Sequence, residues 1–220
     1  MKKLAIYGAA GFGRGIAPLA REMIARMGNA SPDALVFVSD MPEIIGTTVN
    51  GLSVISYEEL RREKDRQVVV ALADHQTRRE IVARCEKDAL KFFSLVATSH
   101  RTLDDVTVGE GAIICDNTLF TSNIKIGRHF QCNIYSYVEH DCIIGDFVTF
   151  APRVNCNGRI VIEDDVYVGA GAVLKQGSTT KPLVIGKGAV IGMGAVVTKD
   201  VEPGATVVGN PARRLERGAA

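Results

Sequence analysis

Glu139, His140 and Asp141 stand side by side in the stretch SYVEHDCIIGDFVTF, residues 136–150, whose other members are mostly apolar or β-branched. An imidazole beside a carboxylate is a unit suited to proton transfer. With an ordinary pKa of ~6.5 it accepts a proton near neutral pH. A carboxylate on the other ring nitrogen holds the tautomer and stabilises the imidazolium. The bland alternative is a solvated turn, and the surroundings have to decide. Zinc chemistry asks for more: a hydratase site needs three converging histidines. From residue 105 onward only His129 and His140 are present, eleven apart, with His100 just before them. No metal is expected.

A second group lies near the start. KLAIYG runs into Gly8-Ala9-Ala10-Gly11-Phe12-Gly13, a strand-to-helix turn where missing side chains let backbone N–H groups approach a phosphate. Ala10, Gly11, Phe12 and Gly13 are the candidates. The spacing is GxxGxG, not the GxGxxG dinucleotide fingerprint, and a tight turn with no ligand is the competing reading. Ser39 and Asp40 end the second strand, where an acidic residue in such folds meets a ribose or base. Ala73, at the end of a further strand, falls near the same crevice if the sheet is parallel.

Two kinds of element must position these residues. Residues 1–97 alternate short β-branched runs (KLAIYG, ALVFVSD, VVVALAD, FFSLVA) with the helical patterns GIAPLAREMIARM and HQTRREIVARCEKDA. That is the grammar of a small α/β domain with a parallel sheet. Residues 98–220 form a second domain with a strict period of six. Every sixth residue from Val108 to Leu174 is apolar, and Ile185, Ile191 and Val197 resume the register after a break of five. Such a period marks a parallel β-helix in which three hexads make one triangular coil of 18 residues.

The period places neighbours, because residues 18 apart stack at one strand spacing, ~4.8 Å. His140 points off a corner, with Gly158 stacked next to it and Gln176 one coil further. Asp141 stacks against Arg159 and Glu139 against Asn157. Gly158 is expected to clear a slot beside the imidazole for a ligand. The extra residues in KQGSTTKPL leave the prism on the face of His140, either as an indifferent corner or as a flap. Cys132, Cys142 and Cys156 fall on inward positions and are expected to pack.

The totals narrow the field. Lysine plus arginine number 26 against 25 acidic residues, so there is no basic field to draw the chain to nucleic acid or an anionic membrane. Glycines interrupt the N-terminus too early for a secretory core, and no stretch is long enough to span a bilayer. The five cysteines form no CxxC pair and are expected to be reduced thiols in the cytoplasm.

The array ending VGAGAVLKQG and IGKGAVIGMGAVVTKDVEPGATVVGNPARRL resembles the hexapeptide-repeat acyltransferases. With GAAGFG, VSD and EHDC in front, the whole chain is similar to the branch containing sialic acid O-acetyltransferases and the nucleotide-linked 4-amino-sugar N-acetyltransferases of bacillosamine and perosamine pathways. The resemblance implies a Rossmann-like N-terminal sheet, a left-handed β-helix and a homotrimer with sites between subunits. It implies acetyl-CoA as co-substrate and an amino group on a nucleotide-linked sugar as acceptor. In it His140 is the base, Asp141 supports it, and Asn133 and Glu139 are further site residues. Coenzyme contacts fall at Thr149, Gly158, Ala170 and Met193. Several relatives carry histidine where this chain has Thr149 or Phe12. The alternatives are O-acetylation of a sialic acid, a metal-dependent hydratase of the γ-carbonic anhydrase kind, and a non-catalytic nucleotide-binding scaffold.

Overall fold

The computed structural model describes residues 3–29 and 31–216. The chain divides into two compact units. One comprises residues up to Val96 together with Glu110–Ile113; the other comprises Ala97–Gly109 and residues from Ile114 onward.

In the first unit, β1 (Lys3–Tyr7), β2 (Leu35–Ser39), β3 (Thr48–Val49), β4 (Leu52–Ser56) and β5 (Arg66–Val70) form one sheet in the order β3-β4-β2-β1-β5. The four long strands run parallel and β3 is an antiparallel edge. All five residues of β2 are buried, as expected of a strand covered on both faces. Helix α1 (Gly11–Arg26) follows β1, α2 (Tyr57–Leu60) follows β4, and α3 (His75–Lys87) follows β5. The sequence pattern places the helix GIAPLAREMIARM after the glycine run. The helix instead begins at Gly11 and carries Pro18 in its interior. Gly11–Gly13 are therefore its first turn, where unbonded N–H groups gather.

Pattern reading also passed over β3, β4 and α2. The hairpin Val49-Asn50-Gly51-Leu52 turns through Asn50 at φ +48° and Gly51 at φ +77°, the conformation an Asn-Gly pair supplies. The short helix α2 opens on a capping box, with Ser56 and Glu59 each bonding the other's backbone N–H.

In the second unit, two-residue strands stack in parallel register at intervals of 18 residues: Cys132 pairs with Phe150, Val138 with Cys156 and Ile144 with Ile162. Across the segment that follows residue 177 the interval becomes 23, as in Ile162 with Ile185 and Leu174 with Val197, and in the last coil it is 16, as in Ile191 with Val207. The longer interval accommodates five extra residues without shifting a strand. The result is a curled parallel sheet consistent with a β-helix. The inward residues Phe120, Cys132, Val138, Phe150, Cys156, Val168, Leu174, Ile185 and Ile191 are fully buried. Val108 departs from the reading: it is 38% exposed, because its strand belongs to the first coil of this unit and pairs there only with Ile126 of the next.

Each corner is turned by a residue in the left-handed region, again every six positions. Asn117, Asn123, His129, Tyr135, Asp141, Phe147, Arg153, Arg159 and Asp165 have φ between +53° and +65°. Glycine takes that place at 171, 188 and 194. His140 and Asp141 therefore form the tip of a corner whose geometry the fold dictates.

Candidate active site

His140 and Asp141 follow the strand Tyr137–Val138. The backbone N–H of Asp141 donates to the Ser122 carbonyl at 3.0 Å, and the His140 carbonyl accepts from Arg159 at 2.8 Å, which clamps the corner between two coils. With Asp141 at φ +59°, its carboxylate turns back onto the preceding imidazole, and Nδ1 of His140 lies 2.8 Å from Oδ2. The other oxygen accepts from the Asn123 amide at 3.2 Å, and the Arg159 guanidinium is 3.7 Å from Oδ2. The bond to His140, then that to Asn123, and then the charge of Arg159 hold the Asp141 carboxyl below its ordinary range. It is therefore an anion at working pH, and Nδ1 carries the proton. Nε2 of His140 is left with its lone pair and has no partner among the described residues. The side chain is 42% exposed.

Gly158 lies against this ring. A Cβ there would stand 2.6 Å from both Cε1 and Nε2 and 3.0 Å from Cδ2, which puts it over the ring face and not off its edge. The expected slot is thus filled by the imidazole itself, drawn over the glycine by the bond to Asp141. What glycine permits is this face-on approach, with Nε2 unbonded by any described residue on a half-exposed side chain. Of the remaining pair, Glu139 is half-buried, and Asn157 accepts from the Tyr137 hydroxyl at 2.9 Å.

The other expected residues occupy a different corner. Asn133 follows the strand Gln131–Cys132, and its Oδ1 accepts from the Ile134 N–H at 2.8 Å. Thr149 is in the next strand of that column and is buried. Ala170 and Met193 stack on the corner turn, where Gly194 donates to the Ala170 carbonyl at 2.8 Å. Met193 is 82% exposed. The column of Tyr137–Val138 separates this set from His140, so one chain does not bring the two sets together.

In the first unit, α1 presents an open N-terminus. Its N-cap Ala10 makes no side-chain cap bond, and no acidic residue sits in the first turn. Gly13 is required by the fold, since a Cβ would fall 1.8 Å from the Gly8 carbonyl oxygen. Gly11 has open space on that side, so the chain's own packing does not demand it. Phe12 is half-buried. Ser39 is buried and accepts from the Met41 N–H at 3.1 Å, whereas the Asp40 side chain is 48% exposed. Ala73 is exposed. Among the described residues no three metal-ligating side chains gather.

Asn123 is the residue that sequence reasoning missed. It stands 18 positions before Asp141, so the same stacking arithmetic that found Gly158 would have found it.

Residues 3–85 match the family model described as the PglD N-terminal domain. Over 219 residues the chain is 42% identical to a GDP-perosamine N-acetyltransferase of Escherichia coli O157:H7, covering 99% of this chain and 98% of that protein. The chain belongs to the hexapeptide-repeat sugar N-acetyltransferases. Members of the family with solved structures agree. WeeI from Acinetobacter baumannii AYE superposes with a TM-score of 0.92 at 48% identity, over 98% of this chain and all of that one. The acetyltransferase domain of PglB from Neisseria gonorrhoeae FA1090, solved with acetyl coenzyme A, gives 0.84 at 27% identity, over 97% and 99%.

Proposed function

We propose that this enzyme transfers the acetyl group of acetyl-CoA to the 4-amino group of a GDP-linked 4-amino-4,6-dideoxy sugar, with His140 as general base. The observation that carries the mechanism is the state of that imidazole: Nδ1 is tied to an anionic Asp141, and Nε2 has no partner among the described residues on a side chain that is 42% exposed. As the amine attacks the thioester carbonyl, its nitrogen loses a proton to Nε2. Asp141, braced by Asn123 and Arg159, stabilises the resulting imidazolium. Collapse of the tetrahedral intermediate releases the coenzyme thiolate, to which the imidazolium returns the proton. No covalent acyl-enzyme is required. The nucleotide is read from the 42% identical relative, whose name specifies GDP-perosamine.

A groove of about 660 Å³ begins one coil beyond Gly158, whose carbonyl accepts from Gly177, and is lined by Lys175, Gln176, Ser178, Lys181 and Lys199 among others. Its volume and its lysines suit the pantetheine arm and phosphates of the coenzyme. For a left-handed β-helix assembled as a homotrimer, the separation of the two sets supports sites shared between copies, with His140, Asp141 and Gly158 of one copy facing Asn133, Thr149, Ala170 and Met193 of the next. Ile134, 40% exposed, and Met193 mark an apolar column on that corner suited to such a neighbour. The open end of α1, Ala10 to Gly13, takes the diphosphate, and Asp40 and Ala73 face the nucleoside. The chain works in the cytoplasm, where nucleotide sugars and acetyl-CoA are supplied.

The test is to incubate the enzyme with acetyl-CoA and GDP-, UDP- or dTDP-linked 4-amino sugars, or a free sialic acid, while following free thiol. Fastest release with the GDP-linked acceptor is expected. Release only with a free sialic acid would replace this reading by O-acetylation.

A further inference from the structure

Asp40 does not stand alone at the end of β2. The Tyr7 hydroxyl, at the end of β1, donates to Oδ2, and Nη1 of Arg84, from α3, lies between the two oxygens at 3.0 and 3.2 Å. Arg84 is itself held: its guanidinium carbon sits 3.5 Å above the centre of the Tyr57 ring, and the Tyr57 hydroxyl lies 2.9 Å from the Arg84 carbonyl oxygen and 2.6 Å from Asp88. A guanidinium over an aromatic face keeps a defined orientation. Tyr7 and Tyr57 are buried, so the network has a rigid floor. Burial and the Asp40 carboxylate push the Tyr7 hydroxyl far above its ordinary pKa, which keeps it a donor.

A carboxylate has about four lone-pair positions. Tyr7 takes one on Oδ2, and the guanidinium takes the positions between the oxygens. The outer side of Oδ1 remains, on a side chain that is 48% exposed. We propose that Arg84 is a positioning residue for the nucleotide: with Tyr7 it fixes the Asp40 carboxylate so that one acceptor position meets a single hydrogen-bond donor of the nucleoside. This rests on the reading of Asp40 as a nucleotide contact. Arg84 acts through Asp40, and not by touching the reacting groups. The donor is either a ribose hydroxyl or a base N–H, which share this chemistry.

The experiment is a double-mutant cycle on the full-length enzyme with the GDP-linked acceptor. Arg84→Gln should raise the KM for the nucleotide sugar about tenfold, the loss of one well-placed charged hydrogen bond. The KM for acetyl-CoA should not move, and Arg84→Lys should recover part of the loss. Added to Asp40→Ala, Arg84→Gln should cost nothing more, because its effect passes through the carboxylate. Additive losses, or equal changes in both KM values, would overturn the proposal and leave Arg84 a brace for α3. Should Arg84→Gln fail to fold, Tyr7→Phe removes one hydroxyl and is judged by the same non-additivity. Competition by GDP against 2′-deoxy- and 3′-deoxy-GDP identifies the donor: a gap with either that vanishes in Asp40→Ala assigns that ribose hydroxyl, and no gap with either assigns the base. If the wild-type enzyme turned over no nucleotide sugar, it is the functional reading that would fall, a result distinct from any of these.

Discussion

The imidazole of His140 lies face-on against Gly158, so close that a methyl group at 158 would stand 2.6 Å from two of its ring atoms. This contact and the bond to Asp141 together fix the ring plane and leave Nε2 free. Gly158→Val must therefore expel the imidazole from its position. No positive φ is involved at 158, so the coil itself should survive. We expect kcat to fall by at least tenfold with the melting temperature within a few degrees of wild type. Full activity in the folded variant would show that the ring does not work from this position.

Asp141→Asn isolates the charge. Asparagine is among the residues that best tolerate the left-handed conformation at φ +59°, so the corner should keep its shape. Without an anion the Nδ1 proton and the imidazolium lose their support. kcat should drop by roughly tenfold or more, yet by less than on losing His140, because water partly screens an exposed pair. A drop in melting temperature with unchanged kcat would make Asp141 a structural corner residue only.

His100 should make stability depend on pH. Thr118 donates its hydroxyl hydrogen to the Cys115 carbonyl at 2.9 Å, so toward His100, 2.8 Å away, it must accept from Nδ1–H. Nε2 is then the acceptor of the Thr102 hydroxyl at 2.8 Å. Burial lowers the pKa of this ring below 6.5 in the folded state. The unfolded chain binds the proton first, so stability is complete above about pH 6.5 and declines as pH falls from there toward the folded-state value. Melting temperature should drop between pH 7.5 and 5.5, and His100→Phe should flatten that slope. An equal slope in both proteins would remove His100 as the cause.

The loop Ser178–Pro182 is separable from the coil. Gly177 and Leu183, its flanks, donate to the adjacent carbonyls of Gly158 and Arg159 at 2.9 and 3.1 Å, so they already occupy neighbouring positions. Excising the five residues restores the 18-residue interval and removes Lys181, which pairs with Asp200 at 2.8 Å across the groove. The variant should fold, with a several-fold higher KM for acetyl-CoA. A folded deletion with unchanged KM would return the loop to an indifferent corner.

Much of this was legible in advance, for a physical reason. A prism one hexad wide buries one side chain per strand, so the period of six survives in Phe120, Val138, Cys156 and Leu174 whatever else varies. The same arithmetic put Gly158 on His140. What it did not convey was direction. That Asp141 bends back onto the ring follows from its left-handed φ, a backbone property that glycine at 171, 188 and 194 and Asn or Asp at 117, 123, 141 and 165 favour, but that His129, Tyr135, Phe147, Arg153 and Arg159 at the same positions hide. The Asn50-Gly51 hairpin and the Ser56–Glu59 capping box were readable and were passed over. The network of Tyr7, Asp40 and Arg84 was not: its members come from three elements with no shared period.

The central claim is that His140 takes the proton from the attacking amine, and the most direct test is kcat for acetyl transfer to the GDP-linked amino sugar by His140→Ala. The account predicts a loss of about 10² to 10⁴ in kcat with both KM values little changed. A folded His140→Ala enzyme that keeps wild-type kcat would contradict it.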